Sequence, residues 1–346
     1  MRWQRSGLVV ALAGGLILPS VAAAQGAVNA TLSVLAEPVE RLTAGGGAEP
    51  GYNGMNLVEG DRIKTGANAV ALITFLNGST VTVLSDSDVT VKQAPPQRGP
   101  SAIRLLIHAG QVWARVIQVA GTRSNLAIES NEYAATAHDG LIGAERGAFG
   151  FICWSRRGTV WITNSAGQTE AVVQAGQRAW GRLGLPITPE PFVPGASMLE
   201  ITASGSALPL LRMPDGRLAA GFPTQEVEVN QVFGALTEAR RGSRWLVEVP
   251  AGKPGPYILV LTGASGGPFT VRIATRYAGF TVHRREITGT IQPGERLYTR
   301  IGLDVSGDEP RTARVRGASV ETLRAWDQGE PAVAASPGAP PRPGPN

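Results

Sequence analysis

Apolar and polar residues alternate in short runs along most of the chain, and the clearest run lies between residues 57 and 83. Ala69, Ala71, Ile73 and Phe75 stand in step with a strand's period of two, while Val70, Leu72 and Leu76 make the opposite face apolar too. That pattern predicts a strand buried on both sides. Asn77-Gly78 then interrupts it with a dipeptide suited to the positive φ values of a two-residue hairpin turn, and the β-branched stretch from Ser79 to Val83 returns as the partner strand. Similar short strands are expected at Thr31 to Leu35, Asp88 to Lys92, Ile103 to His108, Gln111 to Val116, Leu126 to Ile128, Tyr133 to Ala137 and Ala171 to Val173. Phe149 to Trp154 and Thr159 to Thr163 are expected to pair around Arg156-Arg157-Gly158.

The second half reads the same way. Strands are expected at Met198 to Thr202, Ala207 to Met213, Glu226 to Val229, Arg244 to Val249, Tyr257 to Thr262, Phe269 to Thr275, Phe280 to Arg284, Ile287 to Ile291, Arg296 to Leu303 and Thr312 to Arg316, with Pro/Gly turns between them. No convincing helix separates the strands, apart from one short candidate at Val320 to Trp326. The fold class is therefore all-β, with two β-sandwich or β-roll domains. Residues 28–182 form the first domain and 197–327 the second. Residues 183–196, carrying Pro186, Pro189, Pro191 and Pro194, read as an extended, semi-rigid linker. Residues 328–346 are rich in Pro, Ala and Gly and read as a disordered tail.

The order Leu57, Gly60-Asp61, Ile63, Thr65, an alternating strand to Phe75, Asn77-Gly78-Ser79, then Val81 and Val83 resembles the FecR domain family. The resemblance runs from about residue 30 to 182. It implies a periplasmic all-β domain in which Gly60, Asp61, Thr65, Asn77 and Gly78 are structural. His138-Asp139-Gly140 falls where that family carries an Arg-Gly-Thr turn, so His138 and Asp139 are the candidate ligand-contact residues. Tyr257 to Gly263 followed by Phe269-Thr270-Val271 loosely resembles β-sandwich modules of the pre-peptidase C-terminal type, which are accessory domains of secreted bacterial proteins.

Residues 1–24 read as a signal peptide: Arg2 and Arg5, an apolar run from Leu8 to Leu18, then Ala22-Ala23-Ala24 before Gln25. The apolar run is short for a membrane span, and no later segment reaches that length, so no transmembrane segment is expected in the mature chain. The net charge of +5 falls to nearer +3 once Arg2 and Arg5 leave with the leader, too mild to point to nucleic acid. Positive charge is almost all Arg, and Arg156-Arg157, Arg240-Arg241 and Arg284-Arg285 read as solvated charge or as a face for anionic glycan. Cys153, the single cysteine, sits in an apolar run and reads as a buried inert thiol.

Candidate chemistry is sparse. Gly263-Ala264-Ser265-Gly266-Gly267 has the spacing of a nucleophile elbow, but that motif works on a strand-to-helix turn and strands flank this one. His108, His138 and His283 are the only histidines and lack metal-ligand spacing. No phosphate loop or dinucleotide fingerprint is present. Asp61 is expected to cap its own turn. The expectation is thus no catalytic, metal or cofactor site. The reading is an exported, periplasmic or secreted binding module of the bacterial cell envelope, with an envelope protein or anionic glycan as partner and oligomeric state open. The alternative is a FecR-type signal transducer held by an uncleaved N-terminal segment.

Overall fold

The computed structural model describes residues 30–94, 102–118, 125–182, 184–251, 255–278, 280–306 and 309–314. The leader, the helix expected at Val320 to Trp326 and the tail lie outside them. Among the described residues the chain is all-β, without a helix and without a closed barrel.

The first half holds seventeen strands in one connected sheet. They are β1 (Ala30–Ala36), β2 (Val39–Leu42), β3 (Ala48–Pro50), β4 (Met55–Leu57), β5 (Arg62–Thr65), β6 (Val70–Phe75), β7 (Thr80–Val83), β8 (Asp88–Gln93), β9 (Ala102–Val116), β10 (Asn125–Glu129), β11 (Tyr133–Ala137), β12 (Gly140–Gly147), β13 (Gly150–Arg157), β14 (Val160–Asn164), β15 (Thr169–Val173), β16 (Gln177–Gly181) and β17 (Glu190–Pro191). The pairings resolve this sheet into two ladders. The first runs β4-β1-β6-β7-β9-β12-β13-β16-β17. The second runs β3-β2-β5-β8-β9-β10-β11-β14-β15.

Strand β9 belongs to both ladders. Its first part pairs with β8 and β10, and its second with β7 and β12. The crossing point is Gly110, at φ +84°. A Cβ there would lie 2.3 Å from Ser87 Oγ and 2.4 Å from Ser87 Cα, so only glycine fits. Ala109-Gly110 thus bends one strand, where the sequence pattern suggests a break between two. Alternation then sends Ile103, Leu105, Leu126, Ile128, Ala135 and Ile162 of the second ladder inward against Leu32, Ile73, Phe75, Val81, Val112 and Phe151 of the first, in a single core.

Several expectations are corrected. The β6–β7 hairpin closes through three residues, not two. The Phe75 N–H donates to Ser79 O at 2.9 Å, the Gly78 N–H donates to Phe75 O at 2.9 Å, and Gly78 takes the left-handed position at φ +82°. Leu76, expected inside, sits in this loop and is 53 % exposed. Strands β13 and β14 do not pair with each other, because the chain crosses between ladders at Gly158-Thr159. Phe280–Ile291 is one strand rather than two.

The second half is a sandwich of β18 (Ser197–Gly205), β19 (Ala207–Arg212), β20 (Ala219–Gly221), β21 (Val229–Asn230), β22 (Leu236–Arg240), β23 (Arg244–Pro250), β24 (Gly255–Gly263), β25 (Gly267–Tyr277), β26 (Phe280–Ile291), β27 (Arg296–Ser306) and β28 (Glu309–Arg314). A five-stranded sheet, β22-β23-β18-β25-β26, faces a six-stranded one, β21-β20-β19-β24-β27-β28. Leu199, Ile201, Val247, Leu259, Leu261, Val271 and Ile273 fill the space between them.

This sandwich lies on the outer face of the first ladder. Ala36 and Val70 pack into its core. Phe233 stands edge-on to both Trp113 and Trp154, with centroids 5.3 and 5.1 Å away. The Trp113 indole N–H donates to Asn230 Oδ1 at 2.9 Å, and Asn230 donates on to Thr237 Oγ1 at 3.0 Å. Arg157 holds Glu228 in a two-point pair at 3.0 and 3.1 Å. Arg115 Nε lies 3.2 Å from the same carboxylate, close enough for an ion pair but not aligned as a hydrogen bond. Arg156 donates to Glu248 Oε1 at 2.6 Å. Arg156 and Arg157 are therefore half of a bridge between the two halves, not solvated charge. The described part of the expected linker, 184–196, is laid against the roll: Glu190 pairs with Arg178 on β16, and Phe192 packs 6.0 Å from Trp154.

Candidate functional site

The residues singled out by the FecR-like motif all hold backbone. Asp61 is fully buried. Its Oδ2 accepts the Val58 N–H at 2.9 Å and faces Arg41 Nη2 at 2.9 Å. Gly60, at φ +92°, allows the close approach of Ala44. Thr65 Oγ1 accepts the Ser87 N–H at 3.0 Å, tying β5 to the turn before β8. Asn77 Oδ1 accepts the Ser79 N–H at 2.9 Å within the hairpin loop.

The roll has two outer faces with different fates. The first ladder's is covered by the sandwich. Among the described residues nothing covers the second ladder's, and it carries a shallow trough of about 430 Å³ over β9, β10, β11 and β14. Alternation places its residues: with Leu126, Ile128, Ala135, Ala137 and Ile162 turned inward, Asn125, Ala127, Glu129, Ala134, Thr136 and Thr163 must face outward. Outward strand positions usually carry long polar chains. Here Ala127, Ala134, Thr136 and Thr163 are small, so a floor of short side chains lies between the longer ones. Asn125, Asn131 and Ser165 stand at its rim.

The ionised groups lining the trough are paired. Arg104 donates to Glu129 at 2.5 Å, and Arg146 to Glu132 at 2.9 Å. Asn164 is committed to its own turn, accepting the Ala166 and Gln168 N–H groups at 3.0 Å each. Beside the trough, Trp161 stands directly across the ladder from Thr136, and the His138 ring lies 5.1 Å from the indole. His138 and Asp139 are both exposed at this end of the face. Toward the other end, His108 Nε2 lies 2.9 Å from Thr90 Oγ1, and burial together with Arg62, Lys64 and Lys92 holds its pKa below the usual imidazole value despite Asp88.

The sequence pattern points to His138 and Asp139 but misses the floor beside them. The available signal is the run of small residues at the outward positions of β10 and β11, Ala127, Ala134 and Thr136.

Elsewhere, the Ser265 hydroxyl donates to Ser206 Oγ at 3.2 Å, in a loop joining β24 to β25. A strand-to-strand loop lacks the strained strand-to-helix turn of a nucleophile elbow. Among the described residues no three His, Cys, Asp or Glu gather into a potential metal site.

No family model matches the chain, and no curated protein matches it. Among solved structures, two crystal structures described as a "putative anti-sigma factor" from Parabacteroides distasonis ATCC 8503 are similar to part of it. They share 9 % and 8 % identity, and each alignment covers 38 % of this chain and 59 % of the other, with a TM-score of 0.32. The chain thus spans under two thirds of the length of these neighbours, and neither their fold nor their role is carried over to it.

Proposed function

We propose that the protein is an exported, non-enzymatic interaction module of the bacterial cell envelope, and that the open face of the second ladder is its binding surface. One observation carries this reading. Of the roll's two outer faces, one is covered by the chain's own sandwich, while among the described residues nothing covers the other, which bears a shaped trough. Rigid sheets that present a shaped surface are common binding scaffolds. Export rests on the charged, apolar and small-residue segments before Gln25. The non-enzymatic reading rests on the sequence, which offers no nucleophile with a base and no metal-ligand spacing.

The test is capture from envelope extracts by the wild type and by Ala134→Trp, which fills the trough from an outward position. Wild type is expected to retain partners that the variant loses. Equal capture by both would move the function away from this face. Intact mass of the native protein checks the compartment. A species starting at Gln25 fits the module, whereas a membrane-bound species retaining Met1 would favour the transducer.

A further inference from the structure

We infer that the trough takes a neutral, hydroxyl-rich ligand, a short stretch of uncharged glycan chain; this rests on the binding surface proposed above and names its ligand class. Three observations converge on it. The first is charge. Arg104 with Glu129 and Arg146 with Glu132 already neutralise one another beside the trough, so an anionic ligand meets no unbalanced positive charge there. That argues against the anionic glycan suggested by the Arg-rich composition.

The second is backbone. Strands β10, β11 and β14 are each hydrogen-bonded to neighbours on both sides. An extended peptide therefore finds no free strand edge under the trough and could not add to the sheet there. Only side chains are on offer.

The third is the kind of side chain. Ala102, Ala127 and Ala134 with Thr136 and Thr163 make a floor of small, largely apolar side chains. The Asn125 and Asn131 amides at the rim are engaged in no side-chain hydrogen bond with another described residue, and each supplies donors and an acceptor. A sugar ring presents an apolar C–H face and a rim of hydroxyls, which matches floor and rim. The Trp161 indole, steadied by His138, offers an aromatic platform for a neighbouring ring. A space of about 430 Å³ lies within the range of small-ligand sites.

The experiment is titration of the full mature chain with two neutral probes, the hexamers of β1,4-linked glucose and of β1,4-linked N-acetylglucosamine, and with oligogalacturonate as the anionic control. At least one neutral hexamer is expected to bind, with an affinity that does not change with added salt. Binding should fall at least about tenfold in Ala134→Trp and several-fold in Asn131→Ala, with thermal unfolding unchanged. Thr163→Trp serves if Ala134→Trp folds poorly. Failure of both neutral hexamers, preference for oligogalacturonate with salt-sensitive binding, or binding unaffected by filling the trough would overturn the inference. If Ala134→Trp loses capture from envelope extracts while neither hexamer binds, the binding surface stands and the ligand class falls. If capture is unaffected, the surface itself is wrong.

Discussion

Gly143 shows how one residue can decide an interface. It lies between Trp113 and Trp154 in the first ladder, and a Cβ there would meet Trp113 Cε3 at 2.9 Å and Trp154 Cε3 at 3.2 Å. Both indoles pack on Phe233 from the other half, so neither can move without opening that contact. Gly143→Ala is expected to destabilise by about 1–3 kcal/mol, read as a drop in the urea midpoint with a change in tryptophan emission. An unchanged midpoint would mean that the indoles have room to shift. Cys153 faces the core of the roll, and burial pushes its thiol up to about 12, against a small opposing pull from the Ala179 backbone. A thiol that is both buried and protonated does not react as a nucleophile. Labelling with a maleimide at neutral pH should therefore wait for unfolding; prompt labelling of the native chain would contradict the packing. Apolar character alone places Cys153 inside. The need for glycine at 143 is invisible in the sequence, because its two indole neighbours stand on other strands.

At the scale of elements, the join between β9, β13 and the segment before β21 is sensitive to pH. Burial raises the Glu228 pKa, but the Arg157 hydrogen bonds and charge, the Thr237 hydroxyl and Arg115 outweigh it, so the carboxyl titrates below its ordinary value of 4.5. A depressed acid contributes stability that is present above its unfolded pKa and lost as pH falls through the folded one. Glu228→Gln is expected to destabilise by about 2 kcal/mol at about pH 6, read as a lower urea midpoint, because two partly buried guanidinium groups lose their carboxylate. The gap between variant and wild type should close as pH falls below the ordinary value. A gap independent of pH would show that the charge of Glu228 does not matter. The sequence hides this join: Arg156 and Arg157 find their carboxylates 92 and 71 residues away, and adjacent arginines read locally as solvent-facing. Strand β12 is hidden for a related reason. Its three glycines lower strand propensity, and tertiary packing forms the strand regardless. The β6–β7 hairpin is legible because its signals, alternation and Asn-Gly, are local.

For the whole molecule, the two cores, the aromatic cluster of Trp113, Trp154 and Phe233, and the polar chain from Trp113 through Asn230 and Thr237 to Glu228 form one continuous packed body. Denaturation followed by far-UV dichroism and by tryptophan emission is therefore expected to give coincident curves. Two separated transitions would mean that the halves unfold independently. The all-β class was readable from spacing because strand period and turn residues are local properties. The contact between the halves was not, since the Pro-rich stretch 183–196 carries no sign of whether it spans solvent or lies on a surface.

The alternation of the chain between two ladders has a kinetic consequence. Strands β1, β4, β6 and β7 belong to one ladder and β2, β3, β5 and β8 to the other, and the chain continues to cross until β16. No stretch of consecutive residues completes either ladder, so closing the core requires many contacts between distant parts of the chain. Such topologies carry high contact order and fold slowly, on the order of milliseconds to seconds. Until β16 and β17 arrive, β13 keeps an open edge, and an unfinished roll presents that edge to its neighbours. A chain that must emerge unfolded and complete itself afterwards would be exposed to mispairing for the whole of that interval.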